Sequence, residues 1–278
     1  MRNGRDATRR NRNIGTENQG YSKNNEMVIP MCGFIATIWE KIVNFKYKSV
    51  LRQIGNKEIA FIVEKTRKDT CHACTIDDIC LVLKHVPEKD LEGISYILLR
   101  QPNHKDELLC PVWGKYFYHI TLGQYKDGAA VALETYNYKK SLFWSNSLNP
   151  DDADEVERLK LDGHPMIRTK RGYKFTPTLE TVRAKQLYRT LLHEIGHHVD
   201  YITNYENHDS KTSKDKEVFA HNYADRMKES FIKQGVIPFD RILDLEQIEK
   251  DGLDISDFVL PVVGDPKASF SLSTKRYL

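Results

Sequence analysis

His193-Glu194-Ile195-Gly196-His197 is the run in this chain whose residue types and spacing can do chemistry. In a helix, residues four apart lie one above the other, so His193 and His197 can each turn a ring nitrogen toward one zinc ion at about 2.0–2.1 Å. Glu194 lies beside that face, where its carboxylate can act as general base toward a water that the metal activates. Two histidines and a water leave a catalytic zinc one protein ligand short. Glu217 is the candidate for that place, in Glu217-Val218-Phe219-Ala220-His221-Asn222-Tyr223-Ala224-Asp225. His208, in Asn207-His208-Asp209, is the alternative third ligand. It lies among turn formers, whereas Glu217 lies on a predicted helix face. His221, one turn after Glu217, is the second candidate catalytic residue, as a hydrogen-bond donor to the oxyanion formed when water attacks a carbonyl group. Tyr201, Tyr205 and Tyr223 are candidates for the same role.

The motif has this meaning only on a helix. Thr176 as N-cap, Pro177 at the first helical position and apolar residues at Val182, Leu191, Ile195, Val199 and Ile202 predict one over residues 177–202. A second amphipathic helix is predicted from Glu217 to about Lys233, stopped near Gly235, with a polar loop over 204–214 between the two. Ala220 and Ala224 form a small-residue stripe beside Glu217 along which the helices can approach. Upstream, residues 34–54 have helical spacing and 60–64 read as a short strand. Thr75 with Asp78 three residues on reads as a capping box that opens a helix ending before Pro87. Residues 94–99, 116–122 and 129–134 read as strands, Asn149-Pro150 opens a short acidic helix, and 163–173 reads as a loop. The domain organisation expected is a basic, disordered tail over 1–26, a helical segment over 27–70 and one α+β domain over 71–278.

His193-Glu194-Ile195-Gly196-His197 followed by Glu217-x-x-Ala220-x-x-Tyr223-Ala224 resembles the gluzincin branch of the zincin metallopeptidases. Two subgroups share such patterns: the ImmA/IrrE-like peptidases, and the group of anthrax lethal factor and the Pro-Pro endopeptidases. The resemblance covers about residues 179–227. It implies a zincin-like fold, with a small, mostly antiparallel sheet packed on the motif helix and on a second helix carrying the glutamate. It also implies one Zn2+ ion held by His193, His197 and Glu217, Glu194 as general base, and a protein or peptide substrate. In that fold family an edge strand receives the substrate by strand addition, and 129–134 is the strand chosen here for that part. Many gluzincins carry an acidic residue four positions after the ligand glutamate. Here that position is His221, so Asp200 or Asp225 is the candidate to orient a ligand histidine. The metzincin branch is excluded, because it needs Gly at 200 and His at 203 where this chain has Asp200 and Thr203. A third histidine at 208 would instead resemble the SprT-like proteases that act on nucleic-acid-bound proteins. The competing class is a non-catalytic zinc-binding regulatory protein.

Composition sets the remaining bounds. The 278 residues, 40% of them hydrophobic, are enough for one substantial core or two small ones. No apolar run reaches the 18 or more residues of a membrane span, and 27–39 makes a poor secretory signal, so a cytoplasmic location is expected. The net charge is +3, and residues 1–26 carry six basic against three acidic side chains, which leaves the rest neutral. A neutral body argues against a nucleic-acid channel and leaves only the tail for such contact. Cys71-His72-Ala73-Cys74 and Cys80 read as ordinary reduced thiols, since Cys32 and Cys110 are isolated and supply no second closely spaced pair.

Overall fold

The computed structural model describes residues 47–109, 112–120, 122 and 127–260. The tail over 1–26, residues 27–46 of the segment expected to be helical, Cys32, Cys110 and residues from 261 onward lie outside the described residues.

Among the described residues, β1 (Tyr47–Ile54) and β2 (Lys57–Glu64) form an antiparallel hairpin turning at Gly55. The two-residue β3 (Thr70–Cys71) leads into α1 (Ile76–Leu83). Thr75 caps α1 from its side chain and Asp78 answers with the reciprocal bond, the capping box read from the sequence. β4 (Ile94–Arg100) then pairs parallel to β2. α2 (His104–Leu109) and β5 (Gly114–Ile120) precede β6 (Gly128–Glu134), which pairs parallel to β4 and antiparallel to β5. The strand order is β1-β2-β4-β6-β5. The α+β class holds, but the sheet is mixed rather than mostly antiparallel: long connections carrying α1 and α2 supply the crossovers that parallel neighbours require.

Two further expectations are corrected. Residues 47–54 are a strand, not the end of a helix, and this strand joins the same sheet as β4–β6, so the sheet crosses the boundary drawn at residue 70. Residues 163–173 are not a plain loop. β7 (Tyr136–Asn137) pairs with β3, and β8 (Leu142–Ser145), β9 (Met166–Thr169) and β10 (Gly172–Phe175) make a small antiparallel sheet in the order β8-β10-β9. It packs through Phe175 on Val156 and Leu159 of α3 (Pro150–Leu161), the helix opened by Asn149-Pro150.

The motif helix is one continuous rod in three parts: α4 (Leu179–Lys185), a π-helical turn (Gln186–Thr190) and α5 (Leu191–Thr203). Its N-cap is Thr178, bonded to the Thr181 amide, so the helix starts two residues later than Thr176-Pro177 suggests. α6 (Ser213–Lys233), capped by Thr212, follows after a 3-10 turn over Tyr205–Ser210, and α7 (Leu245–Lys250) lies beyond it.

α1 and α5 cover one face of the sheet. Ile59, Phe61 and Val63 of β2, Ile97 and Leu99 of β4, and Val131 and Leu133 of β6 meet Ile79 and Val82 of α1 and Leu191, Leu192, Ile195 and Val199 of α5 in a single buried cluster. At about 1.5–3 kcal/mol per buried aliphatic side chain, this cluster fixes α5 on the sheet and so aims the opposite side of the helix. No helix among the described residues is long and apolar enough to cross a membrane.

Candidate metal centre

His193 and His197 occupy the side of α5 turned away from that core. Their Nε2 atoms lie 3.1 Å apart. Across from them Glu217, near the start of α6, brings Oε2 to 3.3 Å from His193 Nε2 and Oε1 to 3.5 Å from His197 Nε2. Three donor atoms on bonds of about 2.0–2.1 Å to one tetrahedral centre would be separated by about 3.3–3.4 Å, so the spacing fits a zinc ion. Among the described residues these three side chains are the one group of His, Cys, Asp and Glu with mutual spacing suited to a metal.

Close approach of α5 and α6 makes this possible. A Cβ on Gly196 would stand 2.9 Å from Ala220 Cα and 3.1 Å from Tyr223 Cβ, so the motif glycine is the point where the second helix seats. Ala220 and Ala224 are both buried, as the small-residue stripe predicts.

β5 approaches from the other side. A Cβ on Gly114 would lie 2.5 Å from Thr190 Cγ2 and 3.5 Å from Glu194 Cγ. Being last in the strand order, β5 is the edge beside the donor triad. The strand chosen from sequence, 129–134, is the interior strand β6. Its uninterrupted buried run, Ala129 to Glu134, is the pattern of a central strand and was the available signal.

Glu194 is 8% exposed, between α5 and β5. Burial pushes its carboxyl above the ordinary range, opposed by the neighbouring His193 and His197 and by a hydrogen bond from the Tyr116 backbone. Glu217 behaves in the opposite way, since its hydrogen bonds with His193 and His197 hold its carboxyl well below the usual range. Burial disfavours protonation of His197, but Glu217, Glu194 and Asp200 outweigh it and raise its pKa.

His221 lies on α6 with its ring centroid 4.4 Å from that of His193. Burial, then the charges of His193 and Arg158, lowers its pKa to about 4, so the ring is neutral at pH 7 with one N–H to donate. Tyr223 is withdrawn from the oxyanion role, because its hydroxyl donates to Asp90 Oδ2 at 2.8 Å inside the core. Tyr201 and Tyr205 stand one and two turns beyond His197 and pack on each other. His208 is not part of the donor group. It is 3% exposed, packed on Tyr118 and Tyr201, with Nε2 3.9 Å from Asp200. Asp200 is engaged by Lys211 and by Asn204 Nδ2 at 2.9 Å, and Asp225 is exposed. Neither orients His193, whose buried Nδ1 has no hydrogen-bond partner among the described residues.

His198 and Tyr116 are the positioning residues that motif reading overlooks. The His198 Nε2–H donates to the Glu92 carbonyl at 2.6 Å, which leaves Nδ1 to accept from the Tyr116 hydroxyl at 2.9 Å. This bond ties β5 to α5 beside Glu194. The signal was a third histidine in the helix, between Ile195 and Val199 on its apolar side.

Cys71, Cys74 and Cys80 are free and buried, and burial raises all three thiols, Cys71 to about 11. Such thiols are inert as nucleophiles.

No protein-family model, curated protein or solved structure matches the chain.

Proposed function

We propose that the chain is a zinc-dependent endopeptidase with a zincin-like catalytic domain, in which His193, His197 and Glu217 hold one zinc ion. The observation that carries this reading is the convergence of two Nε2 atoms and a carboxylate at 3.1–3.5 Å, with a buried carboxyl next to them and a sheet edge alongside. A structural histidine pair gives a different picture. His72 and His198 each turn Nε2 to a backbone carbonyl, whereas His193 and His197 turn theirs toward each other and Glu217.

A zinc ion held by these side chains supplies Lewis acidity toward a peptide carbonyl and a water molecule. Glu194, with its raised pKa, takes a proton from that water and passes it to the leaving amine nitrogen. His221, neutral and half-buried, donates its N–H to the oxyanion that develops on the carbonyl oxygen. Among the described residues β5 is the outer strand of the sheet beside Glu194, and an extended peptide added along it would be held by main-chain hydrogen bonds in line with that carboxylate.

The test pairs metal analysis with peptide cleavage. The purified chain is expected to carry one zinc ion, and Glu194→Gln is expected to retain it while cleavage falls by about 100-fold or more. Full retention of cleavage in Glu194→Gln, or zinc binding with no cleavage of any protein or peptide by the unaltered chain, would leave a metal-binding regulatory protein in its place.

A further inference from the structure

A cleft lined by Tyr118, Tyr201, Tyr205, Glu206, His208, Asp209 and Lys216 neighbours the donor triad without including it, and Tyr118 lies within electrostatic reach of Glu217. It is built by the elements that position the triad. Tyr201 follows His197 by one helical turn, Lys216 directly precedes Glu217, and Tyr118 lies on β5 two residues beyond Tyr116. Its volume is about 510 Å³, within the range of about 300–1,000 Å³ typical of ligand pockets.

The lining is aromatic and polar. Tyr118 and Tyr201 pack edge to face with centroids 4.8 Å apart, Tyr201 and Tyr205 at 5.3 Å, and the buried His208 ring supports both Tyr118 and Tyr201. Despite this packing Tyr118 is 43% and Tyr205 67% exposed, so both rings present open aromatic surface. Glu206 and Asp209 line the same cleft and outnumber Lys216, so its charge balance is negative. The contrast is with the second cleft, between Trp113, Trp144, Tyr136, Leu142 and Pro177, where indole and aliphatic walls suit an apolar group.

We infer that the tyrosine cleft is the subsite that selects the substrate, and that it takes an arginine or lysine side chain of the peptide close to the scissile bond. Phenol rings attract a cation through their π faces, and carboxylates at the rim answer its charge with charge-assisted hydrogen bonds. An aliphatic side chain would gain little from walls so polar. One turn of helix, about 5.4 Å, separates Tyr201 from His197, so the selected residue lies within a residue or two of the bond that is cut.

This inference rests on the peptidase reading, and its test separates the two. The zinc-loaded full chain is given a random peptide library, and the products are read by mass spectrometry. Cleavage sites are expected to show a basic residue at one fixed position. A peptide carrying arginine there is then compared with its citrulline counterpart, which keeps the shape and loses the charge. The unaltered protein is expected to favour arginine in kcat/KM by about tenfold. The double variant Glu206→Gln, Asp209→Asn and the single variant Tyr205→Ala are expected to bring that ratio close to one, with one zinc ion per chain showing that each is folded. Cleavage without a basic preference, or an arginine-to-citrulline ratio that the variants leave unchanged, overturns the subsite while the peptidase reading stands. Absence of any cleavage of the library by the unaltered protein overturns both.

Discussion

His197 and His198 are neighbours in the chain, yet their rings do opposite work, and their hydrogen-bond partners show why. His198 points into the protein, is saturated by a backbone carbonyl and the Tyr116 hydroxyl, and has its pKa lowered by burial. His197 points toward Glu217 and is drawn toward protonation by it. The same comparison sets His208 apart from the donor group, since it is enclosed by Tyr118 and Tyr201 with Asp200 and Asp209 as its acidic neighbours. Replacing Glu217 by Ala is therefore expected to weaken zinc binding by more than about 100-fold, because even outer-shell partners cost 10- to 100-fold. His208→Ala is expected to leave one ion per chain. Competition with a chromogenic chelator measures both, and metal loss in His208→Ala with retention in Glu217→Ala would reverse the assignment. The residues around the motif were legible because chemistry fixes their spacing: a four-residue step on a helix and a carboxylate on the next one. The surroundings of His193 Nδ1 were not, because no local rule in the sequence says whether an acidic side chain turns toward that atom, and among the described residues none bonds to it. Asp200, three residues after His197, turns instead to Lys211.

The spacing of the donor atoms depends on how closely α5 and α6 approach, and that contact is set by backbone against backbone at Gly196 and Ala220. A methyl group at 196 would meet Ala220 Cα at 2.9 Å and its carbonyl oxygen at 3.0 Å, neither of which can swing aside like a side-chain tip. Gly196→Ala is thus expected to push α6 outward, lower stability by about 1–3 kcal/mol as overpacking does, and weaken zinc binding because Glu217 moves with its helix. Denaturant unfolding and chelator competition on the same variant check both consequences. Unchanged zinc affinity would mean that Glu217 is positioned by its own loop and not by the helix pair. Elements with strong end signals were legible, as Thr75 with Asp78 and Asn149-Pro150 show. β1 was misread for a physical reason: it buries only Val50 and Ile54, and a step of four residues returns to the same face in a strand and in a helix. β9 has three exposed residues out of four, so it carries no alternation to read.

At the scale of the whole molecule, strand order was not legible, because pairing β2 with β4 and β4 with β6 depends on crossovers that leave no local mark. The described residues enclose titratable groups that govern the response to acid. Burial lowers the pKa of His72 and of His208. His164 is held at about 4, by burial first and then by the charges of Lys185 and Arg189, and neither of its ring nitrogens has a hydrogen-bond partner among the described residues. An unfolded histidine takes up its proton near 6.5. Between about 6.5 and 4 the unfolded chain therefore binds more protons than the folded one, and stability falls as the pH falls. Buried Glu64 and Glu134 act in the reverse sense: burial raises their pKa, so the folded state holds protons that the unfolded state releases, and their contribution declines as the pH rises. Because the two groups oppose each other, the total slope is a poor measure and a difference between variants is the right one. His164→Leu removes a ring that must stay neutral and unpaired beside Trp113. On going from pH 7 to pH 5, the unaltered protein is expected to lose about 2 kcal/mol more unfolding free energy than His164→Leu. Urea titrations of both proteins at the two pH values measure the difference, and parallel losses would show that His164 takes up its proton in the folded state as readily as in the unfolded chain.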